Sequence, residues 1–377
     1  MLPKKPMLKE NYQSVMMSVG SMQLRNQENT MLLKGKTVEQ LLPSLLPLLD
    51  GLHTVDDIAK KLDECPRKII EDTIQVLCDH FVIEDGNAIE KTKTPKEELE
   101  KYSNMVDFLS LFSERLLPSG EKASKYDLFG SLQEKTCLVY GLCRVGSQLV
   151  LELAKSGIKN LVLCDDSLID GIDKIPVFSG QEGISKAEAM KNYLVKSKYN
   201  IDVKVVPEQL GHLENIDILI YSEDIPTYEE LRKINKYCID NNISWINLKI
   251  GELKFQVGPL VVPNETACYE CATNRINGNL NYYEEEKAYE NYKNLEKENV
   301  KVFMNNMFIN IAVNITVWEV VKYLTKIYSA VSTGRIIFFD GLSMELSTSN
   351  ILKMPKCPAC SKRETQPFIE PYAVYLP

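Results

Sequence analysis

Short apolar stretches separated by polar turns open the chain: SVMMSVG, MQLR and TMLLKG between residues 13 and 35 predict three β-strands. The spacing changes at TVEQLLPSLLPLLDG, where Leu41, Leu42, Leu45, Leu46 and Leu49 recur at helical intervals and Gly51 is a stop signal. Thr54 then caps VDDIAKKL, with Asp57 three residues on as a weaker stand-in for the capping-box acid. Pro66 opens a third helix, RKIIEDTIQVLCDHF, whose Ile69, Ile70, Ile74, Leu77 and Phe81 form one stripe. FVIEDG closes the segment. The order β-β-β-α-α-α-β predicts a winged helix-turn-helix domain over residues 1–90.

Residues 91–130 read as a linker with one helix in KTKTPKEELEKYSNMVDFLSLFSERLLP and a flexible SGEKASKYD. From 131 strands and helices alternate: TCLVYG, a helix over 147–156, NLVLCDD, a helix over 185–199, DVKVVP, IDILIYS, a helix over 227–241, and SWINLKI. That alternation predicts a parallel, Rossmann-type α/β sheet over 131–377. YYEEEKAYENYKNLEKE predicts a charge-dense surface helix, and VFMNNMFINIAVNITVWEVVKYL a buried one.

Charge narrows the function. A winged helix often binds DNA, yet residues 1–90 carry ten Lys/Arg against fourteen Asp/Glu, and the third helix mixes Arg67 and Lys68 with Glu71, Asp72 and Asp79. The net charge of −8 lacks the footprint a phosphate backbone requires, so no nucleic-acid partner is expected. The N-terminus lacks the apolar core of a secretory signal, and no apolar run of about 18 residues is read. The expectation is a cytoplasmic protein without a membrane partner.

Ten cysteines in such a chain point to thiols and metals before disulfides. Six are scattered singly. The other four form two knuckles, Cys268-Tyr-Glu-Cys271 and Cys357-Pro-Ala-Cys360, nearly ninety residues apart. Two CxxC turns suit one tetrahedral four-cysteine zinc site, and four thiolates leave no open position, which makes such a zinc structural. Free thiols or a redox pair are the alternative.

The strand–turn–helix VYGLCRVGS carries the outer glycines of a G-x-G-x-x-G loop, Gly141 and Gly146, but Cys143 and Arg144 fill its centre. Cys164-Asp165-Asp166 ends the next strand, about 20 residues on, where a ribose-binding acid would stand. GISKAEAMKNYL starts a helix with Lys186 in its first turn, and IDILIYSEDIP puts Asp224 just past a strand end.

This order of loop, Asp, Gly-x-x-Lys-Ala-Glu, strand-end Asp and two CxxC knuckles resembles the ThiF/MoeB branch of the ubiquitin-activating-enzyme superfamily over roughly 131–365. The resemblance implies adenylation of a peptide terminus or carboxylate with ATP and magnesium. It assigns Asp166 to the ribose, Lys186 to the phosphates and Asp224 to magnesium, and it makes a homodimer an expectation. The asparagine and arginine-glutamine cluster of that family is replaced by GIDKIPVF, and Ile225 stands where an asparagine is usual. Cys143 and Arg144 would crowd a phosphate that needs unobstructed backbone N–H groups, although Arg144 could supply charge instead. The pocket therefore reads as a vestigial nucleotide site, with ATP and magnesium doubtful.

The front of the chain, MLLKGKTVEQLLPSLLPLLDGLHTVDDIAKKL with VLCDHFVIEDG, resembles the recognition element of bacterial peptide-modification proteins. Joined to a degenerate ThiF-like domain with a four-cysteine zinc site, it resembles the partner component of azoline-forming (TOMM) cyclodehydratases. That likeness implies a subunit, itself non-catalytic, that binds a precursor-peptide leader and serves a YcaO-type enzyme, with a flavin-dependent dehydrogenase as a further partner. An adenylating enzyme of the microcin type is the alternative. The leader is expected to add as a strand beside Thr30, Met31, Leu32 and Leu33 and to pack on Arg67, Ile70, Glu71 and Ile74, unless the two isoleucines are wholly core.

Overall fold

The computed structural model describes residues 2–115, 120, 122–169, 175–197 and 199–361. The chain divides into two compact units. One holds Met1–Lys135 with Leu153–Lys159 and Val321–Ser329, and the other Thr136–Glu152, Asn160–Val320 and Ala330–Pro377.

The first unit runs β1 (Pro6–Leu8), β2 (Gln13–Ser18), β3 (Ser21–Arg25), β4 (Thr30–Lys34), α1 (Lys36–Gln40), α2 (Leu42–Leu45), α3 (Val55–Lys61), α4 (Arg67–Asp79) and β5 (Ile83–Asp85). β2, β3 and β4 form an antiparallel meander with β3 in the middle, so Met22 and Leu24 on its inner face are buried. The capping box at Thr54 is formed: its Oγ1 accepts from Asp57 N at 3.2 Å, and Asp57 Oδ2 accepts from Thr54 N at 3.1 Å. On α4 Ile70, Ile74 and Leu77 are buried, while Ile69 lies a helical step off that face and is exposed. Sequence reading missed β1, a three-residue strand without alternation that pairs antiparallel with β5, Met7 opposite Glu84.

Residues 91–130 are not a free linker. After α5 (Ala88–Lys91) come α6 (Lys96–Lys101), α7 (Ser103–Leu109) and α8 (Lys125–Gln133). They bury Leu99, Tyr102, Val106, Leu109, Leu128 and Phe129, each worth roughly 1.5–3 kcal/mol of transfer energy. Two buried cations fasten this segment to the N-terminal strands. Lys9 Nζ donates to the carbonyls of Ser110 (2.8 Å) and Ser113 (3.2 Å), and Lys125 pairs with Glu84 at 3.1 Å.

The remaining elements are β6 (Thr136–Tyr140), α9 (Arg144–Lys155), β7 (Asn160–Cys164), α10 (Lys186–Lys196), β8 (Asp202–Val206), β9 (Ile218–Tyr221), α11 (Tyr228–Asp240), β10 (Ser244–Ile250), β11 (Lys254–Val261), α12 (Tyr269–Asn277), α13 (Tyr283–Leu295), α14 (Asn306–Thr325), β12 (Arg335–Asp340) and β13 (Glu345–Asn350). Eight strands form one sheet in the order β13-β12-β11-β10-β9-β6-β7-β8. β8, β7, β6, β9 and β10 are parallel; the continuous apolar runs of β6, β7 and β9 fit strands buried on both faces, while the edge strand β8 alternates. The sheet is mixed, however: β11, β12 and β13 extend it antiparallel, with short turns joining β10 to β11 and β12 to β13, and the helices α12, α13 and α14 lying between β11 and β12. Strand order reverses between β6 and β9, which opens a crevice at their carboxyl ends.

α14 is long and apolar enough, by length and composition, to cross a membrane. With 56% of its apolar window buried, and Ala312, Val313 and Val320 fully enclosed, it packs as a core helix.

Candidate functional site

At the crevice, β6 turns through Gly141, Leu142 and Cys143 into α9. Gly141 has φ +86°, and a Cβ there would stand 2.5 Å from Glu223 Oε1. A Cβ at Gly146 would stand 1.8 Å from the Gly141 carbonyl oxygen. Both glycines are thus required by packing, with or without a phosphate.

The amides that could cradle a phosphate are turned to the chain's own carboxylates. Leu142 N donates to Asp165 Oδ2 at 2.7 Å, and Val145 N, in the first turn of α9, donates to Asp224 Oδ1 at 3.3 Å. Arg144 closes the arrangement: its Nε donates to Asp224 Oδ2 at 3.1 Å and its Nη2 to the Val302 carbonyl at 3.3 Å. A helix N-terminus favours one anion, and here Asp224 supplies it.

Lys186 is buried at the start of α10 with its Nζ 3.8 Å from Cys143 Sγ. Asp166 is exposed and exchanges hydrogen bonds with Glu208, which donates its amide to Asp166 Oδ2 at 2.9 Å. Its neighbour Asp165 is the acid that faces the loop. The structure therefore gathers Gly141, Arg144, Gly146, Lys186 and Asp224 in one crevice and pairs Asp166 with a different element. Of GIDKIPVF, residues 171–174 lie outside the described residues.

Sequence reading passed over Asp165, Glu223 and Lys297. The doublet Asp165-Asp166 was the available signal, since successive residues at a strand end point to opposite sides. Sulfur and carboxylate oxygens of Cys143, Asp165 and Glu223 lie within 4.8 Å of one another. Burial pushes the Glu223 carboxyl up to about 7 against the pull of Lys297, whose Nζ is 3.4 Å away. Burial, with Glu223 and Asp224 adding to it, pushes the Cys143 thiol well above its usual range. It stays a neutral thiol rather than a nucleophile.

The four paired cysteines converge. Cys268 caps α12 and Cys271 lies in its first turn, while Cys357 and Cys360 follow β13. Sulfur separations are 3.9 Å for Cys268–Cys271, 3.6 Å for Cys268–Cys357 and 3.6 Å for Cys271–Cys360. Metal–sulfur bonds of about 2.3 Å in a tetrahedron put sulfurs about 3.8 Å apart, so the set can hold a metal ion, and it is far too open for a disulfide. Met354 N donates to Cys271 Sγ at 3.3 Å, a contact that suits a thiolate.

In the N-terminal unit β4 is an edge of its sheet, with Leu32 half exposed. Ile70 and Ile74 are 0% exposed and offer no surface to a peptide. Arg67 and Glu71 are ion-paired at 2.7 Å on the outside, where Arg67 also meets Asp56. Thr30, Met31 and Leu32 instead line a cavity of about 470 Å³ with Tyr12, His80, Phe81 and Arg115. The open side of the strand meets the C-terminal end of α4. Sequence periodicity located the helix stripe but could not say which end meets the sheet.

Two curated relatives match part of the chain. Ubiquitin-like modifier-activating enzyme 5 of Caenorhabditis briggsae is 21% identical over 166 residues, 38% of this chain and 37% of that protein. Its Caenorhabditis elegans counterpart is 22% identical over 163 residues, 37% and 38% respectively. The match thus spans well under half of the length of these relatives.

Among solved structures, E. coli MccB with MccA-N7isoASN superposes with TM-score 0.71 at 19% identity, covering 95% of this chain and 99% of that one. MccB with ATP gives 0.69 at 19%, covering 94% and 99%. The heterocyclase TruD gives 0.61 at 17%, covering 96% of this chain and 44% of TruD. At these identities the likeness is one of fold. Residues 122–361, more than half of the chain, match the ThiF family. With the switch-point crevice, the glycine turn and the cysteine cluster on the same sheet, the chain belongs to the ThiF family.

Proposed function

We propose that this chain is a leader-binding component of a TOMM azoline-forming system. It holds a ribosomally made precursor peptide and presents it to a YcaO-type cyclodehydratase, which uses ATP to form thiazolines and oxazolines from Cys, Ser and Thr. The observation that carries this reading is the filled helix N-terminus: Asp224 accepts from Val145 N and from Arg144 Nε where a phosphate would have to sit. The fold-level likeness to a heterocyclase supports it. The N-terminal unit acts as the winged-helix recognition domain, with β4 as its docking edge. Zinc at the four cysteines is structural. The protein works in the cytoplasm beside the cyclodehydratase and a flavin-dependent dehydrogenase, as a homodimer.

A second reading is adenylation of the peptide by this chain alone, favoured by the nearly full-length likeness to MccB. It requires Arg144 to leave Asp224 so that the carboxylate can take magnesium.

Incubation of the purified chain with ATP and precursor peptide separates the two. No peptide-AMP is expected without a partner, and Asp224→Ala should leave azoline formation in the reconstituted system within about twofold of wild type. A working phosphate or metal contact would instead cost about 100-fold or more. Peptide-AMP from the lone chain, or a steep loss in Asp224→Ala with metal content and leader binding intact, would overturn the leading reading.

A further inference from the structure

α13, about 20 Å long, sits on the second unit the wrong way round for a surface helix. Its inward face is charged: Glu290 is 3% exposed and Lys293 7%. The two are ion-paired with each other, and Lys293 Nζ lies over the rings of Tyr228 (5.9 Å) and Tyr289 (5.3 Å). The outward face is apolar. Ala288, Tyr292 and Leu295, spaced four and three apart, make one exposed stripe, with half-exposed Tyr289 at its border. Tyr292 is 45% exposed and Leu295 83%. Seating a helix by taking ions out of water, while tyrosine and leucine stay in it, reverses the ordinary gain from burial. The reversal is accounted for when the outer stripe is itself covered.

The charges beside the stripe select what covers it. Glu284 and Glu285 in the first turn and Glu296 at the end of the helix border it. None of the three has a cation within ion-pair distance among the described residues. The nearby Lys287 lies off the stripe, over the ring of Tyr283. A second copy of the chain laid on this face would bring glutamates to glutamates. Nucleic acid and anionic lipid meet the same repulsion. A cationic rim around an apolar surface complements both parts of the face.

We propose that the outer face of α13 is the docking face for a protein partner whose apolar contact surface is rimmed with lysine or arginine. Tyr292 and Leu295 are the apolar anchors, and Glu284, Glu285 and Glu296 take the cations. One helix face of this length covers much less than the roughly 1,600 Å² of a standard interface, which puts the contact in the weak, transient class. In the terms of the proposed function the partner is the cyclodehydratase, and in that naming alone the inference rests on that reading.

Titration of the fluorescently labelled full chain with the cyclodehydratase tests it. Saturable binding is expected, weakened about tenfold or more in Tyr292→Glu and in Leu295→Glu, with leader affinity and melting temperature unchanged. The double change Glu284→Lys and Glu285→Lys, which alters no apolar contact, should also weaken binding about tenfold and serves if either glutamate substitution unfolds. Raising the salt to about 0.5 M should weaken wild type more than this charge-reversed variant. Unchanged affinity in the folded variants would overturn the docking face and leave the proposed function standing. No binding of the cyclodehydratase by a wild-type chain that still binds leader would overturn the face and the partnership together. Self-association of the chain that the same variants abolish, read by analytical ultracentrifugation, would overturn the cationic partner and assign the stripe to a second copy.

Discussion

Gly146 shows how a residue can carry one meaning in sequence and another in structure. Its pattern is that of a phosphate loop, but its environment is a carbonyl oxygen 1.8 Å from any Cβ. Gly146→Ala should therefore destabilise the chain by about 1–3 kcal/mol through overpacking. Thermal melting without nucleotide checks this, and an unchanged midpoint would mean that the close approach is not structural. Both glycines of the loop were legible in the sequence; the reason for them was not, because Glu223 meets Gly141 only through the sheet and the Gly141 carbonyl meets Gly146 only once the turn is folded. Asp165 and Asp166 differ in the same way: composition gives two acids, and only the pleat decides which one faces the loop. Lys9 was invisible to periodicity altogether. Burial lowers it from 10.5 to about 8. Between those values the unfolded chain keeps the proton and the folded chain has released it, so this contribution rises with pH across the window and is lost as pH falls through 8. Wild type should gain up to roughly 3 kcal/mol relative to Lys9→Met between about pH 8 and pH 10.5. Parallel denaturation curves for the two proteins would remove the claim.

Elements with strong local signals were legible throughout: the meander β2–β4, the capped α3, the stripe of α4, and the parallel strands β6 to β10. The antiparallel extension β11–β13 was not, because three helices separate β11 from β12 and the exposed β13 shows no apolar alternation. α6 and α7 were read as one helix, because their buried positions, Leu99, Tyr102, Val106 and Leu109, keep helical spacing across the break at Tyr102. α12 carries a prediction of its own. Its first turn supplies two of the four sulfurs, so a metal held there fastens this helix to the segment after β13. Cys271→Ser should lose bound zinc on elemental analysis and melt several degrees lower. A full complement of zinc in that variant would refute the ligand set.

For the whole molecule, the proposed function divides the labour between an N-terminal unit that would select a peptide and a ThiF-family unit that would position it. Leu32 is half exposed on the open edge of β4, so its replacement should disturb docking more than folding. Leu32→Glu is expected to weaken binding of a fluorescent leader peptide about tenfold while leaving the melting temperature unchanged. Equal affinity in the variant would move the docking site elsewhere. Removing residues 1–90 is a poorer test, because it strands Lys125 without Glu84 and the carbonyls that Lys9 satisfies. A boundary near residue 90 was legible in sequence from the order of elements. The buried cations that cross it were not, since each is a single lysine far from its partner.

The two knuckles, with Cys268 and Cys357 separated by 89 positions, have a further consequence in polymer terms. A metal that joins them ties off a ring of chain and takes conformational freedom chiefly from the unfolded ensemble. For a cross-link of this span the model estimate is on the order of 4–5 kcal/mol. That entropy depends only logarithmically on ring length, and doubling the ring changes it by about 0.6 kcal/mol. The surface stretch carrying α13 can therefore lengthen or shorten at little thermodynamic cost while both knuckles remain. The clasp that fixes the sheet's far edge sets almost no limit of its own on how long the chain around α13 can be.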